Sequence, residues 1–178
     1  MTRRLPLLLA CLLLTVFAAS CGGDDEEQAA APTATATPAA ASTGDDLAEG
    51  ISDDLTDKPA VDKPSGEPPA ELQKIDVVEG KGKAAKAGDV VSVQYVGHSW
   101  STGKQFDASW DRGGEPFQFP LGAGQVIPGW DEGVAGMKKG GRRLLVIPPD
   151  LAYGDQSPSP DIGPNETLVF VVDLETIN

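Results

Sequence analysis

The sequence predicts an α+β domain over residues 71–178, in which an antiparallel β-sheet of about five strands packs against one short α-helix. Alternation predicts the sheet: in a strand at 90–98, apolar and polar residues fall on opposite faces. The last strand, 167–177, alternates in the same way. A single stretch, 128–137, has the spacing of a helix instead. About 108 residues are enough for one core of this kind.

Turn-forming residues bound the shorter strands. The first strand is followed by a turn at 79–82, and a polar, glycine-containing bulge at 109–115 separates two strand-like pieces. A buried strand ends at Pro148-Pro149, and a long proline-containing loop leads from it to the last strand. The predicted strands are 73–78, 90–98, 104–107, 116–120, 143–147 and 167–177.

The short helix begins at Pro128, because a missing N–H costs nothing in the first helical turn. Trp130, Val134 and Met137 follow at spacings of four and three and share one face. Gly140-Gly141 stops the helix. Apolar residues at helical spacing are usually core, so the helix alone favours a packing role for Trp130.

Residues 21–70 are predicted to be a disordered tether. The stretch 22–70 contains no Phe, Trp or Tyr, and 21–70 carries twelve acidic residues against two lysines. Such a segment buries too little apolar surface to offset the entropy of ordering. Leu47, Ile51 and Leu55 are spaced by four, which favours at most a transient helical turn or two. We therefore expect residues 71–178 to fold alone.

Residues 1–20 are predicted to be a signal peptide, with Arg3-Arg4 before an apolar run at 5–19. The run ends in Ala-Ala-Ser-Cys, which resembles the lipobox of bacterial lipoproteins, although Ala18 stands where leucine is usual. Cys21 would then be the lipidated first residue of the mature chain. This predicts an extracytoplasmic protein of the cell envelope, attached to a membrane through lipid alone. The alternative is a secretory signal with an incidental cysteine, and a secreted protein.

Composition excludes several kinds of chemistry. A formal net charge of −13 argues against nucleic-acid binding, which needs a basic surface. Cys11 and Cys21 are the two cysteines, so the domain can contain no disulfide or thiol nucleophile. The single histidine, His98, has no acid or nucleophile at a recognisable spacing. Arg142-Arg143 flanks a tight turn, and we expect both side chains to be solvated.

Six aromatic residues are expected on, or at the rim of, one side of the sheet. They can be plain core, or they can line a pocket with one of them as its floor. Composition alone favours the core. The six are Tyr95, Phe106, Phe117, Trp130, Tyr153 and Phe170.

Seven segments, taken in order and spacing, resemble the FKBP-type peptidyl-prolyl cis-trans isomerases. The resemblance covers residues 71–178 and implies a half-open antiparallel sheet wrapped over a short helix, with the active site between them. The matching segments are YVG at 95–97, GKQFDAS at 103–109, PFQF at 116–119, LG at 121–122, VIPGWDEGV at 126–134, IPPDLAYG at 147–154 and TLVF at 167–170.

The resemblance also implies the site. The catalytic set would be Tyr95, Phe106, Asp107, Ile127, Trp130 and Tyr153, and the remaining substrate-binding residues would be Phe117, Val126, Ile162 and Phe170. Arg112 matches an arginine that neighbours the pocket aspartate in the family. The sequence departs from the family pattern at Gln125, Pro158 and Asp161. If the loop aligns without gaps, Asp161 should lie at the pocket rim.

The implied reaction suits these residues, because rotation about an X–Pro bond needs no nucleophile, metal or cofactor. The resemblance implies binding of proline-containing polypeptides and of macrolide inhibitors of the rapamycin class. We expect the chain to be a monomer. The expected function is isomerisation of X–Pro bonds in exported proteins, as a folding catalyst tethered in the envelope. The alternative is a weakly active or inactive module that holds proline-containing segments as a chaperone or scaffold.

Overall fold

The structure, a computed structural model, describes residues 44–178. The predicted signal peptide and Cys21 lie outside this range. Within it, no helix is long and apolar enough to cross a membrane. In chain order the elements are α1 (Gly44–Ala48), β1 (Gln73–Val78), β2 (Lys81–Ala84), β3 (Val90–Ser99), β4 (Gln105–Ala108), a 3₁₀ turn (Trp110–Arg112), β5 (Phe117–Pro120), α2 (Pro128–Val134), β6 (Lys138–Lys139), β7 (Gly141–Ile147), a second 3₁₀ turn (Pro149–Leu151) and β8 (Leu168–Ile177).

The main sheet is antiparallel and has the strand order β1-β7-β8-β3-β4, with β5 also paired to β3. β4 pairs with the second half of β3 and β5 with its first residues, so the 109–115 bulge lies between two strands that share one partner. The predicted α+β class, with an antiparallel sheet and a short helix on it, is confirmed. A separate two-stranded sheet joins β2 to β6, where the sequence predicted only a turn and a helix end.

Two glycines let α2 lie close against β7. A Cβ on Gly129 would come within 2.3 Å of Ile147 Cγ2, and one on Gly133 within 2.7 Å of Leu145 Cδ1. Both distances are below normal contact, so a helix with side chains here would be pushed away from the sheet. α2 ends at Val134, earlier than predicted, and Gly136 then takes a left-handed φ of 84°. That conformation suits glycine and turns the chain into β6.

The main core fills the space between α2 and the front face of the sheet. Its buried residues come from β3, α2, β7 and β8, and Val91, Val134, Leu145 and Val172 are each fully buried. The front face is defined by these residues, and the pocket described below opens beside them. The back face of the same sheet carries a second apolar cluster.

Residues 44–70, which we call the strap, cover that back face, and here the structure differs from the predicted disordered tether. Leu47 and Ile51 are 8% and 7% exposed and pack in one cluster with Trp100, Leu144 and Val169. The physical reason is that β7 and β8 are apolar on both faces, so the back face also needs cover. A strap without aromatic residues can order because the sheet supplies the apolar surface.

The two neighbouring arginines of β7 are also buried, contrary to the expectation that they are solvated. Arg142 is 0% exposed and forms a two-point ion pair with Asp173, both contacts at 2.6 Å. Its remaining donors reach the strap carbonyls of Ser52 and Asp57, at 2.7 and 3.1 Å. Arg143 pairs with Asp76 and donates to the Gly133 carbonyl at the end of α2. Both guanidinium groups therefore hold chain segments against the sheet.

Candidate active site

Trp130 is the floor of an aromatic cluster on the front face. α2 presents its indole toward three strands, and its ring centroid lies 5.1 Å from that of Tyr95 on β3, 5.2 Å from Phe170 on β8 and 6.1 Å from Phe117 on β5. All three pairs are edge-to-face, an arrangement that aromatic quadrupoles favour. Trp130 lies in the first turn of α2, and this places its buried indole at the start of the helix, beside the three strands.

The cluster does not close completely, and a cavity of about 440 Å³ remains above the indole. That volume lies in the range of small-ligand pockets. The six aromatic residues therefore line a pocket and are not only plain core, the two alternatives that composition left open. Its lining residues are Tyr95, Phe106, Asp107, Phe117, Gly124, Gln125, Val126, Ile127, Trp130, Tyr153 and Phe170.

Gly97 makes room for two of the pocket walls. A Cβ built on it would come within 2.7 Å of both Phe106 and Phe170, whose rings pack edge-to-face at 5.5 Å. Any side chain here would displace the two rings from the cavity. Gly97 is part of the YVG segment in the sequence, but only the folded structure shows that Phe106 and Phe170 pack against it.

A polar network closes one side of the pocket. The Tyr95 hydroxyl donates to Asp107 Oδ2 at 2.5 Å and accepts from Arg112 Nη2 at 2.7 Å, and Arg112 also pairs with the Asp107 carboxylate. Burial, followed by the hydrogen bond to Asp107, raises the pKa of Tyr95, so the phenol stays protonated. The hydrogen bond to Tyr95 raises the pKa of Arg112. Asp107 therefore holds Tyr95 and Arg112 in place through both of its oxygens.

Ile127 precedes α2 and presents a backbone donor at the pocket. Its carbonyl accepts from Trp130 N–H at 2.9 Å, while its own N–H has no acceptor within residues 44–178. Asp131 holds the loop before it, since its carboxylate accepts from the backbone of Gly122 at 2.7 Å and Gly124 at 3.0 Å. The sequence indicated Asp131 only as a first-turn acid. Its role in the loop was missed, although an acid following a glycine-rich turn was the available signal.

Tyr153 forms the outer rim of the pocket. It follows the second 3₁₀ turn and remains 39% exposed. Burial of its ring, and then the charge of Asp107, raise its pKa, so its hydroxyl is a donor at neutral pH. The following loop is fixed by a 2.6 Å hydrogen bond from Asn165 N–H to the Gly154 carbonyl.

One predicted pocket residue lies elsewhere. Ile162 is 4% exposed and packs in the main core, outside the pocket lining. Its loop folds back on itself, with a bridge between Ser159 and Ile162 and a hydrogen bond from Ser157 Oγ to the Ile162 carbonyl. This turn draws the isoleucine inward, while Asp161 is exposed and is not among the lining residues. Gln125, the other departure from the family pattern, does line the pocket.

Known proteins are similar to this chain over the part that forms the sheet, the helix and the pocket. Residues 81–175 match the family model of FKBP-type peptidyl-prolyl cis-trans isomerase. An FK506-binding protein of Streptomyces anulatus is 60% identical over 122 residues, which cover 68% of this chain and 98% of that protein. A probable FK506-binding protein of Corynebacterium glutamicum is 46% identical over 118 residues, 66% of this chain and 97% of that protein.

A similar domain also forms part of a longer protein. A 39 kDa FK506-binding nuclear protein of Drosophila melanogaster is 52% identical over 104 residues, which cover 58% of this chain but 29% of that longer protein. The pocket, the strand order and these matches together place the chain in the family of FKBP-type peptidyl-prolyl cis-trans isomerases. It is an isomerase of X–Pro peptide bonds.

Proposed function

We propose that the cavity above Trp130 holds the pyrrolidine ring of a substrate proline while the residue before it rotates about the X–Pro bond. The aromatic lining supports this, because Tyr95, Phe106 and Phe170 surround a volume suited to a small apolar ring. Proline is the one residue whose cis and trans peptide bonds are close in free energy. A site that grips the ring and leaves the preceding chain free can therefore act on this bond.

The rate effect follows from differential solvation of the amide. Planar amides are stabilised by charge separation, and twisting the bond costs ~18–20 kcal/mol of resonance. A twisted amide is less polar, so a dry aromatic cavity disfavours the planar form relative to the twisted one. Trp130 and the rings around it supply this environment. No proton transfer or covalent step is needed.

Polar groups at the rim orient the substrate. The free N–H of Ile127 is the proposed donor to a substrate carbonyl, and the Tyr153 hydroxyl is the second. Asp107 is engaged with Tyr95 and Arg112, so we assign it to positioning this wall and to the negative potential beside the twisting bond. It does not need to exchange a proton.

We also propose that the clients are exported proteins and that Cys21 anchors the enzyme in the cell envelope by lipid. The basic and apolar residues before Ala-Ala-Ser-Cys motivate this. Two acyl chains give stable attachment where one does not. Intact mass and detergent partitioning of the full chain test the anchor: a mature chain with unmodified Cys21 in the aqueous phase contradicts it. Cys21→Ala is the control.

The FK506-binding names of the relatives support a further proposal, that macrolides of this type bind in the same cavity. Inhibition by FK506 of isomerisation of a Leu-Pro reporter peptide tests activity and site together. We expect the chain to accelerate isomerisation, which takes tens of seconds or more without a catalyst, and FK506 to abolish the acceleration. Tight binding of the peptide without acceleration would instead indicate a proline-binding chaperone or scaffold.

A further inference from the structure

The bulge at 109–115 carries Arg112 to the polar side of the pocket, and hydrogen bonds hold it near both of its ends. At its start, the fully buried Ser109 accepts the Tyr95 N–H through its hydroxyl, at 2.9 Å. Toward its end, Gln94 Nε2 donates to the Gly114 carbonyl. Gly113 and Gly114 both have positive φ, 86° and 71°, next to the turn that carries Arg112. Two successive glycines leave this turn free to move unless its middle is fixed.

Asp111 fixes the middle of the bulge. Its Oδ2 accepts from Gln105 Nε2 on β4 at 2.6 Å, and its Oδ1 pairs with Lys58 Nζ at 2.6 Å. Hydrogen bonds from Lys58 and from Gln105 lower the pKa of Asp111, so the carboxylate is charged at neutral pH. Lys58 belongs to the strap, 53 residues earlier in the chain. A long-range contact therefore reaches the residue next to Arg112.

The strap is itself fixed at this point by the core of the domain. Arg142 Nη2 donates to the carbonyl of Asp57, the residue before Lys58. Arg142 is fully buried and paired to Asp173, so its position is determined by the central strands. Further along, Lys63 lies against Gly103, where a Cβ would meet its side chain at 2.6 Å. Contacts run without a break from β7 and β8 through the strap to the bulge.

We infer that Lys58 is a positioning residue for the isomerase site: by holding Asp111, it restricts the turn that presents Arg112 to Asp107 and Tyr95. This inference rests on the proposed function of the pocket. The hydrogen bond of Lys58 goes to Asp111, which does not line the pocket, so its effect passes through the bulge. The strap is then part of the catalytic domain, and a chain cut at residue 71 would lack a support of its own pocket.

The test uses the full chain with Lys58→Ala and a Leu-Pro reporter peptide. The ion pair is partly exposed, with side chains 36% and 54% accessible, so its effect is modest. We expect kcat/KM to fall about two- to five-fold at low salt, because an exposed ion pair has only a small effect on the geometry that it supports. Lys58→Arg should restore the wild-type value, because it keeps the charge. Addition of 1 M salt should lower the wild type toward Lys58→Ala, since exposed charges are screened.

Lys138→Ala is the matched control, because Lys138 forms an exposed pair of the same 2.6 Å length with Glu79, away from the pocket lining. It should leave kcat/KM unchanged at both salt concentrations. A Lys58→Ala enzyme with wild-type kcat/KM would overturn the inference, as would a loss that Lys58→Arg does not restore. A wild-type chain without isomerase activity would overturn the proposed function as well, so the two failures are distinguishable.

Discussion

Removal of apolar side chains from the strap should destabilise the whole domain. Leu47 and Ile51 are more than nine-tenths buried against the back face of the sheet, and Leu144 and Val169 beneath them are fully buried. Truncation of a buried leucine costs about 2–5 kcal/mol, and a site at the margin of a core belongs at the lower end of that range. We therefore expect Leu47→Ala to lower the free energy of unfolding by about 2 kcal/mol. In a domain of this size the Tm should fall by about 6–10 °C.

Urea unfolding of the full chain, followed by tryptophan fluorescence, measures this effect. Trp100 lies in the same cluster as Leu47 and reports on the back face. Leu55→Ala is the matched control: it makes the same chemical change on the strap at a half-buried position outside the cluster. Equal losses for the two variants, or a loss below ~0.5 kcal/mol for Leu47→Ala, would show that the strap does not stabilise the sheet.

Three further outcomes follow from single positions. Burial lowers the pKa of His98 below its ordinary value of about 6.5. The contribution of His98 to stability is therefore present above that ordinary value and is lost as the pH falls through the folded pKa. The free energy of unfolding should fall less between about pH 7.5 and 5 in His98→Leu than in the wild type, and equal falls would contradict this. Gly129→Ala should cost about 1–3 kcal/mol in thermal unfolding because its Cβ would meet Ile147, and a neutral result would mean that α2 can shift at no cost. Tyr95→Phe removes the hydroxyl that joins Asp107 to the pocket wall, so reporter turnover should fall several-fold while the fold persists by circular dichroism; an unchanged rate would leave that hydroxyl no part in the site.

The fold could be predicted wherever a single periodicity decided the structure. Alternation located β3 and β8, and the spacing of Trp130 and Val134 located α2. The small sheet of β2 and β6 could not be read this way, because it is a few residues long and pairs two lysines, Lys81 and Lys139, directly. Length and alternation carry little signal in such short strands.

The strap was the larger omission, and its signal lay in another part of the chain. On its own, the segment has too little apolar content to fold, so composition predicted disorder. Its partner surface is visible in β8, where Val169 and Val171 alternate with the front-face residues and make both faces apolar. A sheet buried on both faces requires a second covering layer. Arg142 was expected in solvent, but it is buried because it pairs with Asp173, a partner that the local sequence does not reveal.

The site could be predicted largely from the order of its motifs, because nine of the ten residues implied by the resemblance line one pocket. Ile162 differs because a loop turn, and not strand periodicity, sets its direction. The support of the pocket was not visible in the motifs. Asp131 accepts hydrogen bonds from a loop backbone, and Lys58 pairs with an acid far along the chain. Neither partner can be identified before the chain is folded.

The most direct test of the account is the catalysed cis-to-trans rate of a Leu-Pro reporter peptide with the wild-type chain and with Asp107→Ala. We expect clear acceleration by the wild type. We expect a reduced rate for the variant, whose fold persists by circular dichroism while Tyr95 and Arg112 lose their shared carboxylate. A wild-type rate equal to the uncatalysed rate would contradict the assignment of the pocket. Equal acceleration by both proteins would contradict the role of the polar wall.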